Sequence, residues 1–133
     1  MKKIEHIGIA VNSLEDASVF YEKLLGVSAY KQEEVISERV NTAFFKTGIN
    51  KIELLEATDK ESSIAKFIAK KGEGIHHIAF EVEDINIEIT RLKKEGFIVL
   101  GDGPKKGADN KWVVFLHPKS TNGILIELCQ EII

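Results

Sequence analysis

The sequence predicts an α+β fold built from two copies of one β-α-β-β-β unit. Two matching segments carry this prediction, residues 4–14 (IEHIGIAVNSL) and residues 75–85 (IHHIAFEVEDI). Each places an apolar residue two positions before a histidine, so that His6 matches His77, and each follows the period-two pattern of a strand. Similarity of this kind within one chain indicates a duplicated structural unit.

The remainder of each copy repeats as well. A helical pattern follows each segment, at 14–25 and 85–95, and each helix is followed by a glycine that can end it. The two copies also end alike, in Ile52-Glu53-Leu54 and Ile126-Glu127-Leu128. Strands are predicted at about 4–11, 27–34, 40–46, 50–56, 75–82, 97–100, 111–116 and 123–129.

The chain length of 133 residues predicts a single domain, residues 1–133. We place the first module at about 1–57 and the second at about 75–133, with a short linking helix in the segment 58–74. The segment 101–110 (GDGPKKGADN) contains three glycines and a proline and is expected to be a loop.

The composition excludes several classes of protein. Hydrophobic residues make up 44% and charged residues 29% of the chain, as in ordinary globular proteins. The net charge of −3 gives no general attraction to nucleic acid or anionic lipid, and one cysteine cannot form an internal disulfide. No apolar run approaches the roughly 20 residues that span a bilayer, and the N-terminus lacks the apolar stretch of a secretory signal. We therefore expect a cytoplasmic protein without nucleic-acid or membrane partners.

Each module offers one histidine on its first strand and one glutamate on its last strand. These residues are His6 and Glu53 in the first module, and His77 and Glu127 in the second. An ionised glutamate within an apolar strand is costly unless a partner compensates its charge. Because both pairs keep their local sequence in the duplication, a common partner is predicted, and a divalent cation is the simplest one.

Two imidazole nitrogens and two carboxylate oxygens suit Ni²⁺, Co²⁺, Mn²⁺ or Zn²⁺ and leave positions for water or substrate. We expect one ion per site, with Ni²⁺ or Co²⁺ favoured and Mn²⁺ or Zn²⁺ as alternatives. An incompletely filled coordination shell is typical of a Lewis-acid catalytic site rather than of a structural one.

On these residues the sequence resembles the vicinal oxygen chelate superfamily over essentially its whole length. The resemblance implies a glyoxalase/bleomycin-resistance-like fold, in which paired β-α-β-β-β modules form a half-barrel around one metal. His6, Glu53, His77 and Glu127 fall on the metal positions of that superfamily. The implied chemistry is removal of a proton next to a carbonyl group by a carboxylate, with Glu127 as the expected base and Glu53 as the alternative.

Two enzyme branches of the superfamily compete. The segments HIGIAVNSLEDA, GIHHIAFEVEDI and FLHPKSTNGILIEL resemble methylmalonyl-CoA epimerase. Glu53, where bacterial epimerases can carry glutamine, and Thr42, in a strand where an epimerase could carry a second base, favour glyoxalase I (lactoylglutathione lyase). We expect glyoxalase I, which converts the hemithioacetal of methylglyoxal to S-lactoylglutathione, with the epimerase as one alternative and a non-catalytic small-ligand binding module as another.

Several further residues complete the expectations. Lys105, Lys106 and Trp112 are candidates for binding a thiol adduct or a thioester. Cys129 is expected to be a small buried hydrophobic residue rather than a nucleophile, since no neighbouring base or cation is apparent to activate it. A homodimer is expected because a half-barrel sheet leaves edges that need to be covered.

Overall fold

The structure, a computed structural model, describes residues 1–133 and divides into two compact units. The His6 unit consists of residues His6–His76, and the His77 unit consists of Met1–Glu5 and His77–Ile133. The strands are β1 (Lys3–Ala10), β2 (Lys31–Val35), β3 (Val40–Thr47), β4 (Asn50–Ala57), β5 (Gly74–Glu81), β6 (Lys105–Gly107), β7 (Lys111–Leu116) and β8 (Ile126–Glu131). The helices are α1 (Leu14–Leu25), α2 (Ser63–Lys71) and α3 (Ile85–Lys94).

The strands of each unit form a mixed sheet, and the two units repeat the same pairing. The strand order is β2-β3-β4-β1 in the His6 unit and β1-β5-β8-β7-β6 in the His77 unit, which begins with the first residues of β1. In each unit the histidine strand pairs in parallel with the last strand, β1 with β4 and β5 with β8. The last strand also pairs antiparallel with the preceding one. The predicted duplication is therefore present in the strand register.

Capping residues define where the helices begin and end. The Ser13 side chain accepts a hydrogen bond from the backbone N–H of Asp16 at 3.1 Å, and Gly26 ends α1 in the left-handed conformation at φ 73°. Asp84 accepts from the backbone N–H groups of Asn86 and Ile87 at the start of α3. None of the three helices is long and apolar enough to cross a membrane.

Each unit has its own hydrophobic core beneath its long helix. In the His6 unit, α1 packs Leu14, Ala17, Tyr21 and Leu25 against a buried cluster on the sheet. In the His77 unit, α3 contributes three residues to a larger cluster: Val82, Ile85, Ile89, Leu92, Val114, Leu116 and Leu128. The strand alternation that fills these cores directs the histidines and glutamates to the other face of the sheet.

The sixth strand differs from the prediction. The segment 97–100 contributes only one isolated bridge, Val99 with Leu116, whereas β6 lies in the segment expected to be a loop. A tight turn with Asp109 and Asn110 at positive φ returns the chain from β6 to β7. Aspartate and asparagine tolerate that conformation better than other side chains. The sequence Lys-Lys-Gly lacks the apolar alternation by which strands are detected, so the prediction missed it.

Candidate metal and catalytic site

The His6 unit holds a buried histidine–glutamate pair. Nε2 of His6 on β1 lies 3.2 Å from Oε1 of Glu53 on β4, and the residues are 5% and 4% exposed. The parallel register places Gly8 opposite Glu53, two residues after the histidine. The pair is therefore fixed by the hydrogen bonding of two adjacent strands rather than by a loop.

The His77 unit holds a second pair with nearly the same geometry. Nε2 of His77 on β5 lies 3.4 Å from Oε1 of Glu127 on β8, and the residues are 3% and 6% exposed. Ala79 lies opposite Glu127, again two residues after the histidine. Since both register and distance repeat, the duplication extends to the chemistry of the two modules.

A phenylalanine supports each histidine, and the sequence analysis did not identify either residue. The ring of Phe44 meets His6 edge-on, with centroids 6.4 Å apart and planes at 89°, and the ring of Phe115 meets His77 in the same way at 5.9 Å and 88°. Both rings come from the strand before the glutamate strand, directly opposite the glutamate in register. The repeat does not reveal these edge phenylalanines, Phe44 and Phe115, because their spacing to Glu53 and Glu127 differs between the modules.

The donor set fits a divalent cation. Neutral imidazole nitrogens and carboxylate oxygens are ligands for first-row divalent ions, and all four side chains are buried. A buried carboxylate is costly without a compensating charge or hydrogen bonds, and an imidazole offers only one N–H at Nε2. The chemistry of each pair is therefore compatible with an ion.

Not all of the residues predicted to contact the substrate lie on the sheet face that carries Glu127. Trp112 pairs in register with Lys106 on one side and with Gln130 on the other, so these three side chains point away from the face that carries Glu127. Lys105 pairs with Val113, whose side chain shares the face of Glu127. The structure thus does not bring Lys106 or Trp112 to Glu127.

Cys129 is not a nucleophile. Its side chain is fully buried beside Ala79 and Val113, and its thiol lies 3.6 Å from the carbonyl oxygen of Phe80, to which it donates. Burial, with a smaller contribution from the charge of Glu127, raises the pKa of the Cys129 thiol far above its ordinary value. The thiolate that nucleophilic chemistry requires is therefore not formed at neutral pH.

Comparisons with known proteins identify the family of this chain. Residues 5–115 match the family model described as the Glyoxalase/Bleomycin resistance protein/Dioxygenase superfamily. The ethylmalonyl-CoA/methylmalonyl-CoA epimerase of Cereibacter sphaeroides is 44% identical, with 96% of this chain and 97% of that protein covered. The human mitochondrial methylmalonyl-CoA epimerase is 40% identical, with 96% of this chain and 73% of that protein covered.

A solved structure extends the likeness to the fold. A Streptomyces coelicolor methylmalonyl-CoA epimerase variant in complex with 2-nitronate-propionyl-CoA superposes with a TM-score of 0.96 at 34% identity, covering 100% of this chain and 99% of that chain. This agreement confirms the predicted α+β fold of the glyoxalase/bleomycin-resistance type.

The expectation of glyoxalase I is wrong. A probable lactoylglutathione lyase of Vibrio cholerae is only 28% identical, with 97% of this chain and 91% of that protein covered, whereas the epimerases reach 40–44%. The presence of Glu53 was a poor guide because a set of two histidines and two glutamates does not by itself specify the substrate. By family match, whole-chain identity and fold, the chain belongs to the Glyoxalase/Bleomycin resistance protein/Dioxygenase superfamily.

Proposed function

We propose that this chain is a metal-dependent epimerase of methylmalonyl-CoA or a closely similar 2-carboxyacyl-CoA thioester. The observation that carries the proposal is 40–44% sequence identity, over nearly the whole of this chain, to proteins named as such epimerases. It is combined with a buried histidine–glutamate pair in each unit. The reaction needs no redox partner, because one C–H bond breaks and one forms at the same carbon.

The four side chains His6, Glu53, His77 and Glu127 would hold one divalent ion, with Ni²⁺ or Co²⁺ favoured and Mn²⁺ or Zn²⁺ as alternatives. When bound, such an ion supplies Lewis acidity that makes the proton next to the thioester carbonyl easier to remove. The ligands come from one chain in this proposal. Elemental analysis of protein purified with and without each metal tests both the stoichiometry and the preference.

Glu127 is the proposed base that removes the α-proton. The electron pair of the broken C–H bond then moves into the thioester carbonyl, and the α-carbon becomes planar. Return of a proton to the opposite face inverts the centre, and Glu53 is the proposed donor on that face. In the reverse direction the two carboxyl groups exchange roles, so that Glu53 removes the α-proton and Glu127 returns one.

Thr42 does not serve as the second base. Its side chain is buried, and its hydroxyl donates a hydrogen bond to the carbonyl oxygen of Glu33 at 3.1 Å. A threonine hydroxyl is a poor base. The absence of a carboxylate at this position of β3 therefore supports the assignment of the second role to Glu53.

The test is a paired assay with metal restored to the purified protein. One arm follows loss of the α-proton and epimerisation of methylmalonyl-CoA in D₂O, and the other follows formation of S-lactoylglutathione from methylglyoxal and glutathione. We expect turnover in the first arm and none above background in the second. Turnover confined to the second arm, or to neither with metal bound, would overturn the proposal.

A homodimer is part of the proposal, and helix α1 supplies its support. Val19, Phe20 and Leu24 on α1 are 51–63% exposed, and Val27 just beyond the helix is 42% exposed. Asp16 near the start of α1 and Lys23 in its last turn have opposite charges. Two copies of α1 in an antiparallel arrangement would cover the apolar side chains and bring each Asp16 toward the other copy's Lys23.

A further inference from the structure

Two lysines meet over one tyrosine ring in the His6 unit. Nζ of Lys46 lies 5.1 Å and Nζ of Lys51 lies 5.9 Å from the centroid of the Tyr30 ring. The two lysines are directly opposite each other in the antiparallel register of β3 and β4, at the end of the hairpin. Like charges at opposite positions of a strand pair are unfavourable, whereas each cation–π contact is favourable.

These lysines lie on the face of the sheet that carries the metal-ligating pair. Phe44 is opposite Glu53 in the register, and Lys46 and Lys51 occupy the next inward-facing row. The Tyr30 ring contacts Phe44 at a centroid distance of 6.0 Å, and Phe44 contacts His6. A continuous aromatic surface thus leads from the His6–Glu53 pair to two ammonium groups.

We propose that Tyr30, Lys46 and Lys51 form an anion subsite that binds an oxyanion group of the substrate. The identity of that substrate depends on the function proposed above. Lysine ammonium groups bind phosphate and carboxylate as mobile point charges. The oxyanion is either a phosphate of the coenzyme A carrier or the carboxylate of the acyl group. If it is a phosphate, the Phe44 and Tyr30 rings offer an apolar surface beneath the chain that joins it to the reacting carbon.

The test compares Lys46→Gln, Lys51→Gln and the double variant with Lys70→Gln. Lys70 is an exposed lysine of α2, so its replacement changes the net charge by the same amount as each single variant and serves as the matched control. Coenzyme A, which has no epimerisable centre, is titrated by calorimetry at low and high salt. Turnover is measured with methylmalonyl-CoA and with methylmalonyl-pantetheine, which keeps the carboxylate and lacks the phosphates.

If a phosphate is bound, each single variant weakens coenzyme A binding by about threefold to tenfold, as expected for loss of one charge-assisted contact. The double variant then loses most of the salt dependence, and KM rises for methylmalonyl-CoA but not for methylmalonyl-pantetheine. If the carboxylate is bound, KM rises for both thioesters and coenzyme A binding is unchanged. In both cases kcat changes little compared with the control.

The subsite is overturned if the double variant equals Lys70→Gln in coenzyme A binding and in both KM values. That result leaves the proposed function intact when the wild-type protein epimerises methylmalonyl-CoA. Conversely, wild-type protein that binds coenzyme A through these lysines without epimerase activity retains the subsite and refutes the function. Wild-type protein that neither binds coenzyme A nor turns over either thioester refutes both.

Discussion

Replacement of Glu127 by glutamine separates proton transfer from metal binding. The wild-type carboxylate is 6% exposed and lies 3.4 Å from Nε2 of His77. Glutamine keeps the volume and one oxygen at this buried position, so much of the metal content should remain. It cannot accept the α-proton, and loss of a general base costs typically 10²–10⁴-fold. A 100-fold fall in kcat corresponds to about 2.7 kcal/mol of lost transition-state stabilisation.

The matched variant is Glu53→Gln, because Glu53 occupies the equivalent place beside His6. If the two carboxylates serve opposite faces, both variants lose epimerisation by about 100-fold or more. Each variant nevertheless continues to exchange the α-proton of one epimer with D₂O, and the two variants act on opposite epimers. If Glu127 works alone, Glu53→Gln costs much less.

The assay follows deuterium incorporation and inversion at the α-carbon separately for each epimer. Metal content is measured in the same samples. Near-normal turnover by Glu127→Gln at full metal occupancy would refute its role as base. A metal-bound water would then become the leading candidate for the base.

Four further outcomes follow from the structure. Leu128→Ala removes a fully buried side chain from the His77-unit core, and urea unfolding should show a loss of about 2–5 kcal/mol. Cys129 should resist alkylation by iodoacetamide at pH 8 and react only on unfolding, because burial raises the pKa of its thiol. The Arg91 guanidinium lowers the pKa of Glu88 in the folded state. The pair therefore stabilises the protein above the unfolded pKa of Glu88, and this stabilisation is lost as the pH falls through the folded pKa. Arg91→Ala should accordingly lower the Tm more at pH 7 than at pH 3. Leu24→Glu should shift a dimer toward monomer in sedimentation equilibrium and leave the folded CD spectrum unchanged.

The repeat in the sequence was sufficient to predict helices α1 and α3 and to single out one histidine and one glutamate in each module. Both pairs lie on regular strands, where period-two alternation determines which side chains share a face. The strand β6 was missed because its residues carry no apolar alternation and its pairing depends on the turn at Asp109 and Asn110. The side of the sheet that Trp112 occupies could not be predicted for a related reason, since register with β6 and β8 is a tertiary property.

The choice of substrate could not be derived from the ligand residues. The same set of donors serves any reaction that removes a proton next to a carbonyl, so the presence of Glu53 did not distinguish the two enzyme branches. Discrimination depends on residues outside the donor set, which the repeat does not identify. Sequence identity to the epimerases is measured over nearly the whole chain and so includes many positions outside the donor set.

The duplication provides an internal control for deciding which side chains support the metal ligands and which serve the substrate. A group required by each histidine–glutamate pair should recur in both units, as the edge phenylalanines do. Lys46 lies two residues after one edge phenylalanine, and the corresponding position after the other is His117, whose Nδ1 accepts from the backbone N–H of Lys119. Lys51 lies two residues before its glutamate, and the corresponding residue in the other unit is Leu125. The paired ammonium groups therefore occur in one unit only, as expected if they serve the anion subsite proposed above rather than the ion.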